Sequence, residues 1–174
     1  MSCLINEAIP LNCIDGIAGI KAVYVGVDIV IASATYSVDN EITGLTGTGA
    51  FYEYQLPKDT GSISEAMTIS NVNGTAFYDQ QLTINLQKLD AFKRNQLLLL
   101  SRNRDIKSLV LDNNNNLWLL GKDRGGVIAS GTSATGVNPG DQQGYTITIG
   151  AQEPEMMYQV TSLAAIHGIT ITTA

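Results

Sequence analysis

The sequence contains few of the residues that carry out enzyme chemistry. One histidine, His167, and two cysteines, Cys3 and Cys13, occur among 174 residues. A Ser–His or Cys–His catalytic pair would depend on that single histidine, which precedes Gly168 in a segment with the composition of a strand. We therefore expect that the protein is not an enzyme and that it has no catalytic residues.

Metal and nucleotide sites also lack good candidates. The two cysteines have no Cys-x-x-Cys spacing and no histidine nearby, which excludes an obvious zinc or thiol–disulfide centre and suits free thiols made in a reducing cytoplasm. Gly44, Gly47 and Gly49 lack the Lys-Ser/Thr of a phosphate loop and open a strand rather than a helix. Residues 112–116 lack the glycine and the distal glutamate of an EF-hand loop, so they predict a turn. We expect no metal and no cofactor.

Charge is scarce and slightly acidic. Charged residues make up 15% of the chain, the net charge is −6 and the pI is near 4.6. Phosphate neutralisation requires clustered lysine and arginine, so this balance argues against a nucleic-acid-binding protein, whereas an acidic surface would let DNA slide past. A surface with so few charges also suggests that neighbouring subunits cover part of it.

The first 19 residues predict an arm rather than a leader or a membrane span. They have no basic amino-terminal region, no sustained hydrophobic period, and interruptions at Asn6, Glu7, Pro10 and Asp15. We expect residues 1–19 to lie outside the core and to contact other subunits.

Residues 75–121 have the clearest pattern in the chain. Residues 75–86 alternate between apolar and polar side chains, as in a half-buried strand. Residues 106–111 and 117–120 are apolar runs around the polar turn at 112–116, which predicts a hairpin.

One amphipathic helix is predicted between these elements, from about Asp90 to Asn103. Phe92, Leu99 and Leu100 recur on one stripe. The four consecutive leucines at 97–100 form an apolar surface too wide for one sheet face, so we expect a loop or an adjacent subunit to cover part of it.

The remaining segments predict further strands and two long loops. Strands are expected at residues 20–26, 29–34, 50–56, 62–70 and 144–151. A hairpin and a bent continuation both fit the connection between the first two, and the order up to residue 86 suggests an antiparallel meander. Glycine-rich residues 37–49 and 122–143 are predicted to be protruding loops, the second with only a short strand at 127–130. Residues 166–173 have strand chemistry that suits pairing at an edge, including that of a neighbouring chain.

Two glutamates follow the strand at 144–151 and flank Pro154. Glu153 and Glu155 point the same way along an extended segment, which favours a solvated acidic edge over acid–base catalysis. Together these patterns predict one mainly β domain with antiparallel strands and a single α-helix.

A series of short segments repeats the order and spacing of a known family over residues 1–158. The segments are Met1-Ser2-Cys3-Leu4 with Cys13, Gly19-Ile20-Lys21 before a strand, Leu86-x-Lys88-Leu89 before the helix, the Asp-Asn turn, Leu117-Trp118-Leu119-Leu120-Gly121, Gly140-Asp141, Gly144-Tyr145-Thr146-Ile147-Thr148, and Gln152-Glu153-Pro154. In this order the chain resembles tail tube proteins of Bacteroidetes phages and crAss-like phages. Residues 159–174 have no counterpart in that family and are expected to form a C-terminal extension.

The resemblance implies a virion structural protein whose fold is an antiparallel β-sandwich or barrel with one flanking α-helix. Six copies would form a ring whose inner sheets join into a β-barrel around a channel, and rings would stack into, or cap, the tail tube through protruding loops and terminal arms. The implied partners are further copies of the chain, other tail proteins, and DNA that passes through the lumen without specific binding, with no membrane involved. The implied location is the virion tail, after synthesis in the bacterial host cytoplasm.

Two alternatives remain open at this stage. One is the tube protein of a contractile injection apparatus, and the other is a receptor- or glycan-binding β-sandwich of the tail tip. The second requires exposed aromatic side chains, for which Tyr52, Tyr54 and Trp118 are the candidates, although Trp118 is expected to pack in the core. Subunit contacts are expected in the two loops, the helix and the last strand, at Asn40, Ile42, Leu45, Leu97, Leu98, Arg124, Val127, Ile128, Val137, Ile169 and Ile171.

Overall fold

A computed structural model describes residues 8–11 and 13–174, which form eleven β-strands and one α-helix. The strands are β1 (Ile20–Val27), β2 (Val30–Tyr36), β3 (Ile42–Tyr54), β4 (Ser62–Ser70), β5 (Thr75–Gln87), β6 (Ile106–Asp112), β7 (Leu117–Leu120), β8 (Gly126–Ala134), β9 (Gly144–Glu153), β10 (Tyr158–Val160) and β11 (Ile166–Thr172), and the helix is α1 (Ala91–Arg102). The predicted mainly β fold with one flanking helix is confirmed.

Five strands form a closed barrel. They pair in the order β1-β3-β10-β7-β6, and β6 pairs again with β1. The long strand β3 also carries β2 on one edge and β11 on the other, so it connects most of the barrel. β1 and β2 follow one another along β3, which selects the bent continuation over the hairpin. The bend lies at Asp28, which has a φ of +53° and donates its backbone N–H to the carbonyl of Asp105 at 3.2 Å.

The other four strands form an open antiparallel sheet in the order β8-β9-β5-β4. It joins the barrel through a single bridge between Ile106 and Gly126. One face of this sheet packs on the outside of the barrel wall, so the molecule has two cores.

The two cores explain why β6 and β7 show continuous rather than alternating burial. Leu109 and Leu119 point into the barrel, whereas Val110 and Leu120 point into the layer between barrel and sheet. The barrel core holds Tyr24, Ile29, Ile42, Leu45, Phe51, Leu109, Leu117, Leu119, Val160, Ile166 and Ile169, and the second core holds Ile20, Val23, Val25, Leu82, Ile84, Leu86, Leu100, Ile106, Val110, Leu120, Ile147 and Ile149.

α1 closes one end of the second core. Its bounds match the prediction, because the Asp90 carboxylate accepts the Lys93 backbone N–H at 2.8 Å as the N-cap. The predicted apolar stripe is wrong, however: Leu100 is buried, but Phe92 is 72% and Leu99 57% exposed. The two helix residues that pack on the core are instead Leu97 and Leu100. No helix among the described residues is long and apolar enough to cross a membrane.

The glycine-rich segment at residues 37–49 is mostly strand, so the predicted protruding loop is wrong. Only residues 37–41 turn, and β3 begins at Ile42. Gly47 explains the misleading composition, because a Cβ there would collide with the carbonyl oxygen of Val30 on β2. β3 then enters the barrel instead of pairing with β4, so the predicted meander is broken into two separate hairpins, β2–β3 and β4–β5.

Two further expectations need correction. The loop predicted at residues 122–143 is shorter, because β8 occupies Gly126–Ala134. The segment predicted as an extension, residues 159–174, belongs to the barrel: β10 pairs with β7, and β11 pairs in parallel with β3 of the same chain. The sheet is therefore mixed rather than purely antiparallel. Residues 8–11 and 13–19 form no helix or strand, as expected of an arm, and the rest of that arm lies outside the described residues.

Candidate assembly surface

The outer face of the open sheet is polar and almost uncharged. Strand register places on it Ser62, Ser64, Ala66 and Thr68 of β4, Phe77, Asp79, Gln81, Thr83 and Asn85 of β5, Thr146, Thr148, Gly150 and Gln152 of β9, and Val127, Ser130 and Thr132 of β8. Only Asp79 among them is ionisable. This arrangement confirms the predicted two-sided pattern of β5, whose Leu82, Ile84 and Leu86 are buried on the opposite face.

Side chains on this face bond to one another across the strands. The Thr146 hydroxyl donates to the Asn85 amide oxygen at 2.7 Å, and the hydroxyls of Thr83 and Thr148 lie 3.3 Å apart. Such lateral pairs hold the face in one arrangement without using charge. The surface offers water uniform, neutral hydrogen-bonding groups.

Both edges of the open sheet are unpaired in the described part of the chain. β4 pairs only with β5, and β8 beyond Gly126 pairs only with β9. Neither strand contains lysine or proline, which natural proteins place on edge strands to prevent association. Glu65, the charged residue of β4, is turned inward, where its carboxylate accepts the Gln80 amide at 3.1 Å and the Met157 backbone N–H at 2.8 Å.

The edge of β4 is also regular. Its nine residues pair with β5 without a register shift, whereas shifts interrupt the pairings of β2 and β11 with β3 and the pairing of β8 with β9. Bulges of that kind protect an edge, so β4 is the least protected outer strand described in this chain. Since every pairing in the open sheet is antiparallel, β4 runs opposite to β8. A second copy placed side by side would continue the antiparallel order.

The β4–β5 hairpin extends past the end of β9. Beyond the pair of Tyr78 and Glu153 the hairpin has no third strand. Met67 is 61%, Ile69 65% and Val72 96% exposed on this projection. Apolar side chains exposed together on one tip suit contact with another protein surface.

The loop before β8 is fixed by a buried carboxylate. Glu153 is only 3% exposed, and its carboxylate accepts the backbone N–H groups of Asp123 at 3.2 Å and Arg124 at 3.0 Å. Burial raises the pKa of Glu153, against the opposing effect of these hydrogen bonds. The predicted solvated edge is therefore wrong for Glu153, although Glu155 is exposed. Glu153 sets where the edge of β8 begins.

Residues 112–116 form the predicted turn, which is held by hydrogen bonds to the Asp112 carboxylate. The Asp112 carboxylate accepts the backbone N–H groups of Asn114 and Asn116 at 2.8 Å each and the Trp118 indole N–H at 3.2 Å. Burial alone would raise the pKa of Asp112, but the hydrogen bonds from Asn116, Trp118 and Asn114 outweigh burial and hold it below its usual range. Trp118 packs against the second core, as predicted.

The same turn anchors the base of the amino-terminal arm. The Asn114 side chain accepts the Ile17 N–H at 2.9 Å and donates to the Ile17 carbonyl at 3.0 Å. Asn113 donates from its side chain to the Ala18 carbonyl at 2.7 Å and from its backbone to the Gly19 carbonyl at 3.1 Å. Asn113 and Asn114 thus satisfy backbone groups of the arm that a neighbouring strand would otherwise bind. Further along the arm, Ile9 and Leu11 are almost fully exposed.

The predicted contact residues divide into surface and core positions. Arg124 and Val127 lie exposed at the start of the β8 edge, and Val137 and Asn40 are exposed in turns. Leu98 is exposed on α1. These five residues are available to a neighbour, and their role in subunit contact stays a prediction.

The other predicted contact residues pack inside their own chain. Ile42, Leu45 and Ile169 are buried in the barrel core, with Ile171 packed against it, and Leu97 and Ile128 pack against the second core. Because Ile42, Leu45 and Ile169 have almost no exposed surface, their assignment as contact residues is corrected. The other three are half-buried, and their role in subunit contact stays a prediction. Sequence reasoning missed β4 as an open edge. The signal was present in residues 62–70, an alternating strand between two turns without lysine or proline.

A groove of about 760 Å³ lies between α1, residues 52–57 and residues 172–174. Phe92 and Tyr52, both more than half exposed, contribute aromatic surface to it.

Within the described range, no group of three or more His, Cys, Asp or Glu side chains is placed to hold a metal ion. No protein-family model, curated protein or solved structure matches this chain.

Proposed function

We propose that this chain is a structural protein of a virion tail whose copies join edge to edge into hexameric rings, and that these rings stack into, or cap, a tube through which DNA is delivered. The observation that carries the proposal is the pair of open, oppositely directed edges, β4 and β8, on either side of a polar and nearly uncharged face. This view agrees with the family resemblance of the sequence.

Edge-to-edge pairing would extend the sheet around a closed wall. Six copies would contribute 24 strands, four from each. With strands about 4.8 Å apart and tilted by about 40°, such a wall is on the order of 50 Å across between backbones. That leaves room for a DNA duplex after side chains line the bore.

The outer face of the open sheet would then form the inner surface of the tube. Serine, threonine, glutamine and asparagine keep this surface wet, and the scarcity of charge gives DNA phosphates few attractive or repulsive points. The partners are further copies of the chain, other tail proteins at the ends of the tube, and DNA in transit. A tube protein of a contractile injection apparatus would use the same geometry.

A second candidate, a receptor- or glycan-binding protein of the tail tip, has one observation in its favour. Tyr52 and Phe92 place two exposed aromatic side chains in the groove beside α1. Aromatic faces in a groove are suited to stacking on a ligand ring. This candidate predicts a monomer that binds a glycan, and it gives no role to the open edges of β4 and β8.

Lysine substitutions at paired positions test edge association. Ser64 on β4 lies directly opposite Gln81 on β5, and both side chains are exposed on the outer face. Ser64→Lys places a charge on the edge strand, where an approaching strand must desolvate it. Gln81→Lys places the same charge one strand further in and serves as the control.

We expect wild type and Gln81→Lys to form sixfold rings or tubes in negative-stain images and light scattering, and Ser64→Lys to remain monomeric. Circular dichroism establishes that both variants are folded. A wild-type protein that stays monomeric at high concentration and binds a glycan would refute the proposal.

A further inference from the structure

A concavity of about 460 Å³ opens on the outer face of the open sheet, at the Gly126 end of β8. Gly125, Ala129 and Gly150 line it with almost no side-chain bulk. Arg104 and Arg124 also line it, and the remaining lining residues are Asp79, Val127 and Gln152. Two arginines therefore share one small space on a face that is otherwise nearly uncharged.

The charge of this concavity is opposite to that of the whole chain. Two guanidinium groups and one carboxylate leave it with one net positive charge, whereas the chain carries −6. Asp79 also has another partner, because its carboxylate accepts the Gln81 side-chain amide at 3.0 Å. Asp105 and Asp123, the sequence neighbours of the two arginines, are paired with Lys107 and Lys122.

Neither arginine is used in an ion pair with a described carboxylate. The ion pairs found in the described chain belong to Lys93, Lys107 and Lys122. Structural arginines at a protein surface commonly bind a neighbouring carboxylate. Arg104 and Arg124 instead leave their hydrogen-bond donors available to a group from outside.

The backbone on both sides of the concavity is held in place. The backbone N–H of Arg124 is bound to the buried Glu153 carboxylate at 3.0 Å, and the carbonyl of Asp105, next to Arg104, accepts the Asp28 N–H at 3.2 Å. The two guanidinium groups are thus attached to fixed points while their side chains stay free to adjust. Such an arrangement suits a ligand that differs in position from one encounter to the next.

We propose that Arg104 and Arg124 form a phosphate-binding site. A guanidinium fork matches two oxygens of a phosphate group, and the glycine-lined floor lets that group approach closely. The identity of the ligand rests on the proposed function: on the inner surface of the tube, the phosphate groups are those of the DNA backbone. The contact reads no base sequence, so each copy holds passing DNA weakly and without sequence preference.

Two double variants with equal loss of charge test the site. Arg104→Ala with Arg124→Ala empties the concavity, and Arg94→Ala with Arg102→Ala removes two exposed arginines of α1 that do not line it. Binding of a short DNA duplex to the full chain is measured by fluorescence anisotropy across a range of salt concentrations.

We expect the concavity variant to lose about tenfold or more in affinity. The slope of its log affinity against log salt concentration should become shallower by about 0.9 for each phosphate that the protein no longer neutralises. The α1 variant should match wild type. Equal losses in the two variants would show that total charge rather than a site is responsible, and would overturn the inference.

Inorganic phosphate separates a free anion from DNA. Phosphate should shift the amide resonances of Gly125 and Val127 in wild type and should compete with DNA at constant ionic strength. Shifts of this kind with DNA affinity unaffected by the concavity variant would overturn the assignment to DNA. Negative-stain imaging is independent of both readouts. If rings form but the concavity variant binds DNA like wild type, only this site is refuted. If the variant loses DNA affinity but no rings form, only the proposed tube is refuted.

Discussion

The closed barrel and the open sheet are built from the same kind of strand but end differently. Pairings in the barrel return from β6 to β1, whereas pairings in the open sheet stop at β4 and β8. The barrel fills its interior with large apolar side chains, while the open sheet buries one face and leaves the other to water. The barrel thus closes its backbone pairing within one chain, whereas the open sheet leaves two backbone edges unpaired in the described part of the chain.

Removing residues 159–174 should have the largest effect, because it reopens the barrel. The deletion takes away most of β10, which links β3 to β7, and all of β11, with the buried side chains of Val160, Ile166 and Ile169. Burial of three such side chains contributes roughly 5–9 kcal/mol, which is comparable to the whole stability of a domain. We expect no cooperative thermal transition in circular dichroism.

Deletion of residues 1–15 provides the control. The described arm residues Ile9, Leu11 and Ile14 are almost fully exposed, so this variant should melt like wild type. A normal melting transition after loss of residues 159–174 would show that the fold does not depend on β10 and β11.

A pair of phenylalanines separates the barrel interior from the exterior. Phe51 is completely buried in the barrel core, whereas Phe92 on α1 is 72% exposed. Phe51→Ala should cost about 3–5 kcal/mol in urea unfolding, because it leaves a cavity as well as losing burial. Phe92→Ala should change the free energy of unfolding by less than about 0.5 kcal/mol. Similar losses for both would mean that α1 packs more tightly than its exposure indicates.

The smallest expected effect is the pH dependence from Glu153, which lies where the open sheet approaches the barrel. Burial raises its pKa, so the fold favours the protonated form. The corresponding stability is present below the unfolded pKa and is lost as pH rises through the folded pKa. Glu153→Gln cannot titrate, so the stability of wild type relative to this variant should increase in urea unfolding as pH falls from 7 through the folded pKa to 4.5, the ordinary pKa of a glutamate. A constant difference across that range would contradict the raised pKa.

Much of the fold was predictable where one face of an element meets the core. β5 and β9 alternate because one side packs and the other is wet, and α1 begins at the Asp90 cap and ends near Asn103 as the sequence indicates. The β6–β7 hairpin followed from its polar turn. Each of these elements carries its own signal within a few residues.

The errors arose where partners are distant in sequence. β11 has strand composition, but nothing in residues 166–172 indicates that it pairs in parallel with residues 45–52. The inner positions of β8 include Gly126, Gly131 and Ser133, so its alternation is hidden and the segment resembles a loop. Open edges are a property of the whole topology, which explains why β4 was missed as part of the candidate surface.

The opposite directions of β4 and β8 would let copies add without limit unless the sheet also curves. Each added copy presents the same free edge as the one before it, so addition alone produces a ribbon without a natural end. Closure requires every copy to turn by the same fraction of a circle, one sixth for a ring of six. A small error in that angle would leave two exposed edges on a growing fibre. If copies associate in this way, the curvature of the open sheet would decide whether they form a closed ring or an insoluble fibre.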